Sequence, residues 1–447
     1  MSRIRIIITI IVVVLTTLLT GCTGKEPNEI AYVVALGIDS TDDDNYKITI
    51  QYANTTQISG GASESGGKAG SEIVDNVTIE APNIYAGVGL ANNIVSKSFS
   101  MSHAKLIVFS KEIAEKGVKD MIETLVRSEE IRPDVFIAVA NTTANDYLTS
   151  VNPEMEVNPA QYYQLIYQKN QLVGIPDGQL REFFTGLYTD NYDSILPVAG
   201  VIEGSGGNSQ NDDKGQSKDG QNEGSEGSSE SLDSFESKNS DENEKEKDAE
   251  KNTSKYEYDI KNYVGGETAI EKKNKAEAIG AAVFEKDKMV GELGEVETEI
   301  CKMLKGDYTY SYLTYYNNDT PDIPITVKTT QQKKPKYKID TDKKTVDIEL
   351  YIESDLYSLP ADYNVENKIE DFERDVANYT SSTCTEFINN FTKKYNSDIL
   401  KLNEKIKYKF LTNNQYNWFK KNVGWSEYKF SVCTDFKVRR TGLIVRE

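Results

Sequence analysis

The chain divides by hydrophobic pattern into stretches of very different character. Ile6–Leu19 is an apolar run broken only by threonines, placed behind Arg3 and Arg5. Ile30–Ile38 is a second dense apolar run, rich in Val and Ile and short enough to be a buried strand. Asp39–Asn45 supplies turn residues, and Tyr46–Tyr52 alternates as the returning strand. Further strands are predicted over Ile73–Ile79, Leu106–Phe109 and Val135–Val139. A helix starting near Pro82 separates the first two. A second helix is predicted from Lys111, with Ile113, Val118, Met121, Ile122 and Leu125 on one face. Asn158 and Pro159 make an N-cap and N1 pair for a helix reaching Leu172. A shorter helix covers Gly178–Leu187, and Ser194–Ile202 is extended. Strands with helices between them imply an α/β or α+β domain.

The second half repeats the mixture. Ala276–Phe284 and Met289–Glu292 are strands around a tight turn, and Val296, Ile300, Met303 and Leu304 give a helix. Tyr308–Tyr316 and Ile323–Val327 are extended, and Tyr337–Ile339 pairs with Val346–Ile352 as a hairpin around Asp340-Thr-Asp-Lys-Lys. The longest helix, 363–396, follows from Val365, Ile369, Phe372, Val376, Tyr379, Thr383, Phe387, Phe391 and Tyr395, which step by three or four. Trp418 and Trp425 precede a last extended stretch, Phe430–Val438.

Two stretches carry no such pattern. Thr55–Ser71 is rich in Gly and Ser and is predicted to be a loop. Residues 203–255 hold 15 acidic and 7 basic side chains with only Leu232 and Phe235 as large apolar ones. They bury too little to offset ordering entropy, so disorder is expected there. Because apolar strands flank both ends, the tract reads as a loop excursion within one domain, with a domain linker as the alternative.

Charge and composition narrow the chemistry. The net charge of −20 predicts that the protein is repelled by nucleic acid and by anionic headgroups. His103 is the only histidine, which excludes a histidine-rich metal centre and disfavours a Ser-His-Asp triad. Cys22, Cys301, Cys384 and Cys433 lack the paired spacing of a zinc site or disulfide framework. Buried single thiols are expected, with one disulfide among Cys301, Cys384 and Cys433 as the alternative. Each remaining candidate has a plain structural reading. His103 reads as a structural hydrogen-bonding residue, and Arg127 and Arg132 as cations near a helix C-terminus. Glu297 fits the first turn of a helix, and Asp42-Asp43-Asp44 lacks the spacing of a calcium loop. Gly87-Val-Gly89 lacks the rest of a dinucleotide fingerprint. Tyr308–Tyr316 could stack sugars, but tyrosine on exposed strands is the commoner case. No catalytic set, metal site or cofactor is predicted.

The N-terminus carries the sharpest signal. Arg3, Arg5 and the apolar run form a secretory signal, 1–21. Leu19-Thr20-Gly21-Cys22 directly after it resembles a bacterial lipobox. That resemblance implies cleavage between Gly21 and Cys22, with S-diacylglyceryl and N-acyl groups on Cys22. An uncleaved anchor helix would need an apolar run of about 17–25 residues, longer than Ile6–Leu19. The mature protein is thus expected to be held to a membrane by its lipid and not by a basic surface.

Four blocks further resemble the C-subunit lipoproteins of bacterial spore-germination receptors, the Ger(x)C family. The first is Ile30-Ala-Tyr-Val-Val-Ala-Leu-Gly-Ile-Asp39. The second joins Ser102-His-Ala-Lys-Leu-Ile-Val-Phe-Ser110, Ala114-Glu-Lys-Gly117 and Arg127-Ser-Glu-Glu-Ile-Arg132. The third runs from Gly280 to Leu293 with Glu297-Thr298 after it, and the fourth is the tryptophan pair and the extended segment ending near Gly442. The insert at 203–255 and the loop at 55–71 depart from the family pattern. The resemblance implies three small mixed α/β domains in series: 22–152, 153–308 interrupted by 203–255, and 309–447. It implies a non-enzymatic, lipid-anchored subunit that completes a nutrient germinant receptor with an integral membrane A-subunit and B-subunit. Its expected place is the outer face of the spore's inner membrane. A substrate-binding lipoprotein of a membrane transporter is the alternative.

Overall fold

A computed structural model describes residues 3–7, 9, 29–43, 45–53, 74–153, 156, 158–168, 174–189, 191–202, 262–268, 274–316, 324–358 and 368–441. The lipobox with Gly21 and Cys22, the Gly/Ser loop, the acidic tract, Val365 and Gly442 lie outside them.

The first sheet grows from the apolar runs. β1 (Ile30–Ser40), β2 (Tyr46–Ala53) and β3 (Val74–Ala81) form an antiparallel meander. Helix α1 (Ile84–Ala91) follows, with Asn83 as its N-cap in place of the start expected at Pro82. β4 (Ser98–Ser100) and β5 (Leu106–Ser110) pair in parallel with β1, and β6 (Phe136–Ala140) in parallel with β5. Between β5 and β6 the helix expected from Lys111 is two helices, α2 (Lys111–Lys116) and α3 (Lys119–Val126). The break is Gly117, at φ 124, where an added Cβ would lie 2.7 Å from the Asp287 carboxylate. β5 and β6 are buried at every position, as strands covered on both faces must be. α1, α2 and α3 cover one face, with Ile38, Phe109 and Val139 in that core. α4 (Ala144–Ser150) and α5 (Pro159–Gln168) cover the other, through Tyr147 and Tyr163.

The sheet does not stop at residue 152. After α6 (Leu180–Thr189), β7 (Ile195–Val201) pairs in parallel with β6. β8 (Ala276–Glu285) and β9 (Lys288–Leu293) then extend it antiparallel. The order is β3-β2-β1-β5-β6-β7-β8-β9, with β4 beside β1. A boundary at 152/153 therefore coincides with no break in strand pairing: residues on both sides of it build one sheet. β7 and β8 are direct neighbours, so the acidic tract leaves and rejoins the sheet between adjacent strands.

α7 (Glu295–Lys305) carries the chain to a second sheet. β10 (Tyr310–Tyr316), β11 (Pro324–Thr330), β12 (Lys336–Asp340) and β13 (Thr345–Ser358) are antiparallel neighbours in the order β10-β11-β13-β12. The β12–β13 turn is held by the Asp340 carboxylate, which accepts the N–H groups of Asp342 and Lys343 at 3.0 Å each. α8 (Ile369–Tyr395) packs against this sheet, followed by α9 (Leu402–Ile406), α10 (Asn413–Asn422) and β14 (Lys429–Arg440), which runs parallel to β13. The fold is mixed α/β of the α+β kind, with two sheets.

The buried stripe of α8 differs from the expected one. It runs through Phe372, Val376, Thr380, Cys384, Ile388 and Phe391, while Tyr379, Phe387 and Tyr395 flank it half-buried. Small Thr and Cys side chains lie on the line facing the sheet, and the larger aromatics pack beside it. Cys301 and Cys384 are buried thiols, each pushed up to about 12 by burial, whereas Cys433 is an exposed one. No disulfide joins them among the described residues.

Candidate functional site

Most of the residues that stood out in sequence have structural duties. Asp39 is buried at the end of β1, and its carboxylate accepts the N–H groups of Ala144 at 2.6 Å and Asn145 at 3.0 Å. It thus holds the start of α4, and burial raises its pKa. The second block is held at its margin and within itself: the Glu130 carboxylate accepts the N–H of Met101, the residue before it, at 2.6 Å, and Ser128 Oγ accepts from Glu130 and Ile131. His103 is exposed, hydrogen-bonded through Nδ1 to Ser102 Oγ at 3.0 Å and edge-on to Tyr32. Arg127 follows the last residue of α3 and pairs with Glu123 at 3.4 Å. Arg132 lies in the segment leading to β6, away from that pair in sequence.

In the third block, Gly280 sits at φ 83, where an added Cβ would fall 2.6 Å from the Leu293 carbonyl oxygen. Glu297 caps the start of α7: its carboxylate accepts the Gly294 N–H at 3.0 Å and an Asn262 amide N–H at 2.9 Å, while Asn262 Oδ1 accepts the Val296 N–H at 3.0 Å. Gly87 lies inside α1 against Ile48. Asp42 and Asp43 lie in a bend, and no cluster of three potential metal ligands occurs among the described residues. Tyr308 is buried and donates to Glu299 at 3.2 Å, while Tyr312 is exposed on β10.

A constellation that the sequence did not announce is a polar cavity of about 400 Å³ where the first sheet meets the second. Its walls come from the turn before α6, from the lead into β7, from the end of α7 and from Lys401. Gly306, at φ 83, ends α7 and turns the chain into the cavity at Asp307. Lys302 is buried there. Its ammonium donates to the Ile175 carbonyl at 3.0 Å, and burial pushes its pKa down to about 8. Asp177 on the facing wall is raised by burial. Lys305 pairs with Asp307 at 3.5 Å. Lys401 pairs with Glu182 at 3.1 Å and lies 4.1 Å from the Tyr192 ring centroid.

Beside the cavity, Asp193 and Asp398 fasten the two sheets together. Asp398 N–H donates to the Asp193 carboxylate at 2.9 Å, and Asp193 N–H donates to the Asp398 carbonyl at 3.2 Å. The Asp398 carboxylate accepts from Leu402 at 2.7 Å and Asn403 at 2.8 Å, at the start of α9. Burial pushes this carboxyl up to about 7, against the lowering effect of those two bonds. Such an arrangement has two chemical capacities. It clasps the two sheets through the Lys401–Glu182 pair and the Asp193–Asp398 backbone bonds, and it leaves polar space for a small molecule carrying both signs of charge. Sequence reasoning missed it because its residues lie on five separated segments, Tyr167 of α5 among them, and a lysine such as Lys302 reads as surface until the fold buries it.

Comparison with known proteins adds to this geometry. The family model "Spore germination protein N-terminal domain" matches residues 24–201, and "Spore germination B3/GerAC like, C-terminal" matches residues 279–442. Spore germination protein KC of Bacillus subtilis is 26% identical over 176 residues, which is 36% of this chain and 43% of that protein. The putative spore germination protein YfkR of the same organism is 28% identical over 145 residues, 32% of this chain and 37% of that protein. The aligned segments thus span less than half the length of either relative. A crystal structure of the GerBC protein aligns with a TM-score of 0.48 at 15% identity, covering 90% of this chain and 96% of that one.

Proposed function

Because the chain belongs to the Ger(x)C family of spore-germination proteins, we propose that it is the lipid-anchored C-subunit of a nutrient germinant receptor. The observation that carries this reading is the ordered match of two family models to the two halves of the chain, on either side of the acidic tract. The subunit completes the receptor together with an integral membrane A-subunit and B-subunit, at the outer face of the spore's inner membrane. Its attachment is the acylated Cys22. Two acyl signals hold a protein where one chain holds it only marginally. The role is non-enzymatic: the carboxylates quoted from the family blocks cap helices and tie loops.

Removing the chain from a spore former that lacks a paralogue is expected to abolish nutrient-triggered germination and to leave spore formation untouched. Normal nutrient germination in that strain overturns the proposal. The 400 Å³ cavity favours one second reading, a substrate-binding lipoprotein serving a transporter. Tight binding of a nutrient by this chain without its partners would select that reading.

A further inference from the structure

The charge of the chain is not evenly spread. Residues 407–421 carry Lys407, Lys409, Lys420 and Lys421 and no carboxylate, in a protein whose net charge is −20. The same segment holds three conspicuously exposed large side chains: Tyr408 at 81%, Leu411 at 93% and Trp418 at 64%. It is not a loose loop. The Phe410 ring lies 5.7 Å from that of Tyr416 and 5.1 Å from that of Phe419, and Phe419 in turn packs on the buried Trp425. Lys420 and Tyr416 both bond to the Asn191 side chain at 3.1 Å, which ties α10 to the first sheet. The inward face of α10 is thereby fixed. Trp418 and Lys421, three residues apart, are left together on its outward face.

Indole and phenol rings settle at the headgroup level of a bilayer, an exposed leucine inserts below it, and lysines attract anionic lipid. We propose that the 407–421 segment is a second membrane contact, docking Tyr408, Leu411 and Trp418 into an anionic bilayer surface. The proposal deepens the membrane-bound reading above and rests on it for the bilayer's proximity. An acyl chain on Cys22 alone leaves the body free to rotate about its tether, and a docked patch fixes which face meets the membrane.

The test uses the full acylated chain mixed with phosphatidylcholine vesicles, with and without phosphatidylglycerol, carrying brominated acyl chains. Sedimentation reads the anchor, and tryptophan quenching reads the patch. The expected result is quenching and a blue shift that depend on phosphatidylglycerol, weaken with salt, and vanish in Trp418→Phe, where the buried Trp425 remains as an internal reference. The Lys407→Ala/Lys421→Ala double variant is expected to lower the docked-to-undocked ratio roughly thirty-fold, from about 1 kcal/mol per lysine. A chain that sediments with vesicles while Trp418 stays unquenched overturns this inference and spares the anchor. Quenching without stable sedimentation overturns the anchor and supports the patch. Absence of both overturns both. Protection of Trp418 by an acidic protein partner, with no bromolipid quenching, also overturns the inference.

Discussion

Along β14, outward N–H groups of the second sheet are taken by the side chains of one helix. Phe430 donates to Asn389 at 3.1 Å, Val432 to Thr385 at 3.0 Å, Thr434 to Ser381 at 2.9 Å and Val438 to Glu373 at 2.8 Å. Asn389 also donates back to the Phe430 carbonyl at 2.9 Å. At the far side of the same sheet β10 pairs, among the described residues, with β11 alone, and it carries tyrosines: Tyr310 under the Lys328 ammonium, and Tyr312 edge-on to Tyr357. An unpaired strand edge is a template for another strand, and proteins cover or blunt it. One edge here is covered by residues four or eight apart on α8, and the other is left to bulky side chains and one cation. The difference separates a boundary built into the folding core from one that tolerates change.

That contrast can be broken first by pH. The closed side of the sheet runs through α8 into Asp398, whose folded pKa of about 7 stands above its ordinary value of 3.8. Between these values the folded state binds the proton more tightly than the unfolded chain. The contribution of Asp398 is therefore fully present below about pH 4 and is lost as pH rises through 7, a change of about 4 kcal/mol. Denaturant unfolding across this range should show a fall that is steeper in the wild type than in Asp398→Asn, because the raised carboxyls of Asp39 and Asp177 act in both proteins. Parallel pH profiles for the two proteins would refute it.

Next in size is Asn389→Leu. It removes three hydrogen bonds, one of them to the Thr385 carbonyl within α8, and leaves both backbone groups of Phe430 without their partner. The expected loss is about 2–4 kcal/mol, read as a lower denaturation midpoint. A loss under about 0.5 kcal/mol would mean that water replaces the helix at that edge. Smallest is Tyr312→Ser on the open edge, expected to change stability by about 0.5 kcal/mol or less. If Tyr312→Ser proves as costly as Asn389→Leu, the two edges are not different in kind.

Local features were legible in sequence wherever one segment determines them. The runs Ile30–Ile38, Leu106–Phe109 and Val135–Val139 fall in or next to buried strands, and Asp340 holds the turn expected of it. What depends on partners was not legible. Glu373, Ser381, Thr385 and Asn389 look like an ordinary solvated line on α8 until β14 is laid beside it. Lys302 and Asp398 acquire their shifted ionisation from burial that no neighbour in sequence signals. Nor did a sum of −20 reveal the lysine-only span of 407–421, because 15 of the acidic residues sit in 203–255. Net charge describes a whole chain, and a surface is chosen by the fold.

The facing pair Val201 and Ala276 has a practical consequence. Strands paired in this way are held about 5 Å apart whatever lies between them. The cost of closing a flexible loop grows so slowly that doubling its length adds only about 0.6 kcal/mol. That position is therefore a port in the scaffold. Within 204–260, sequence can be gained, lost or exchanged without asking the sheet to move, provided the packed segment 262–268 is kept, by natural drift or by an experimenter who needs a reporter on the protein while both of its ends stay untouched.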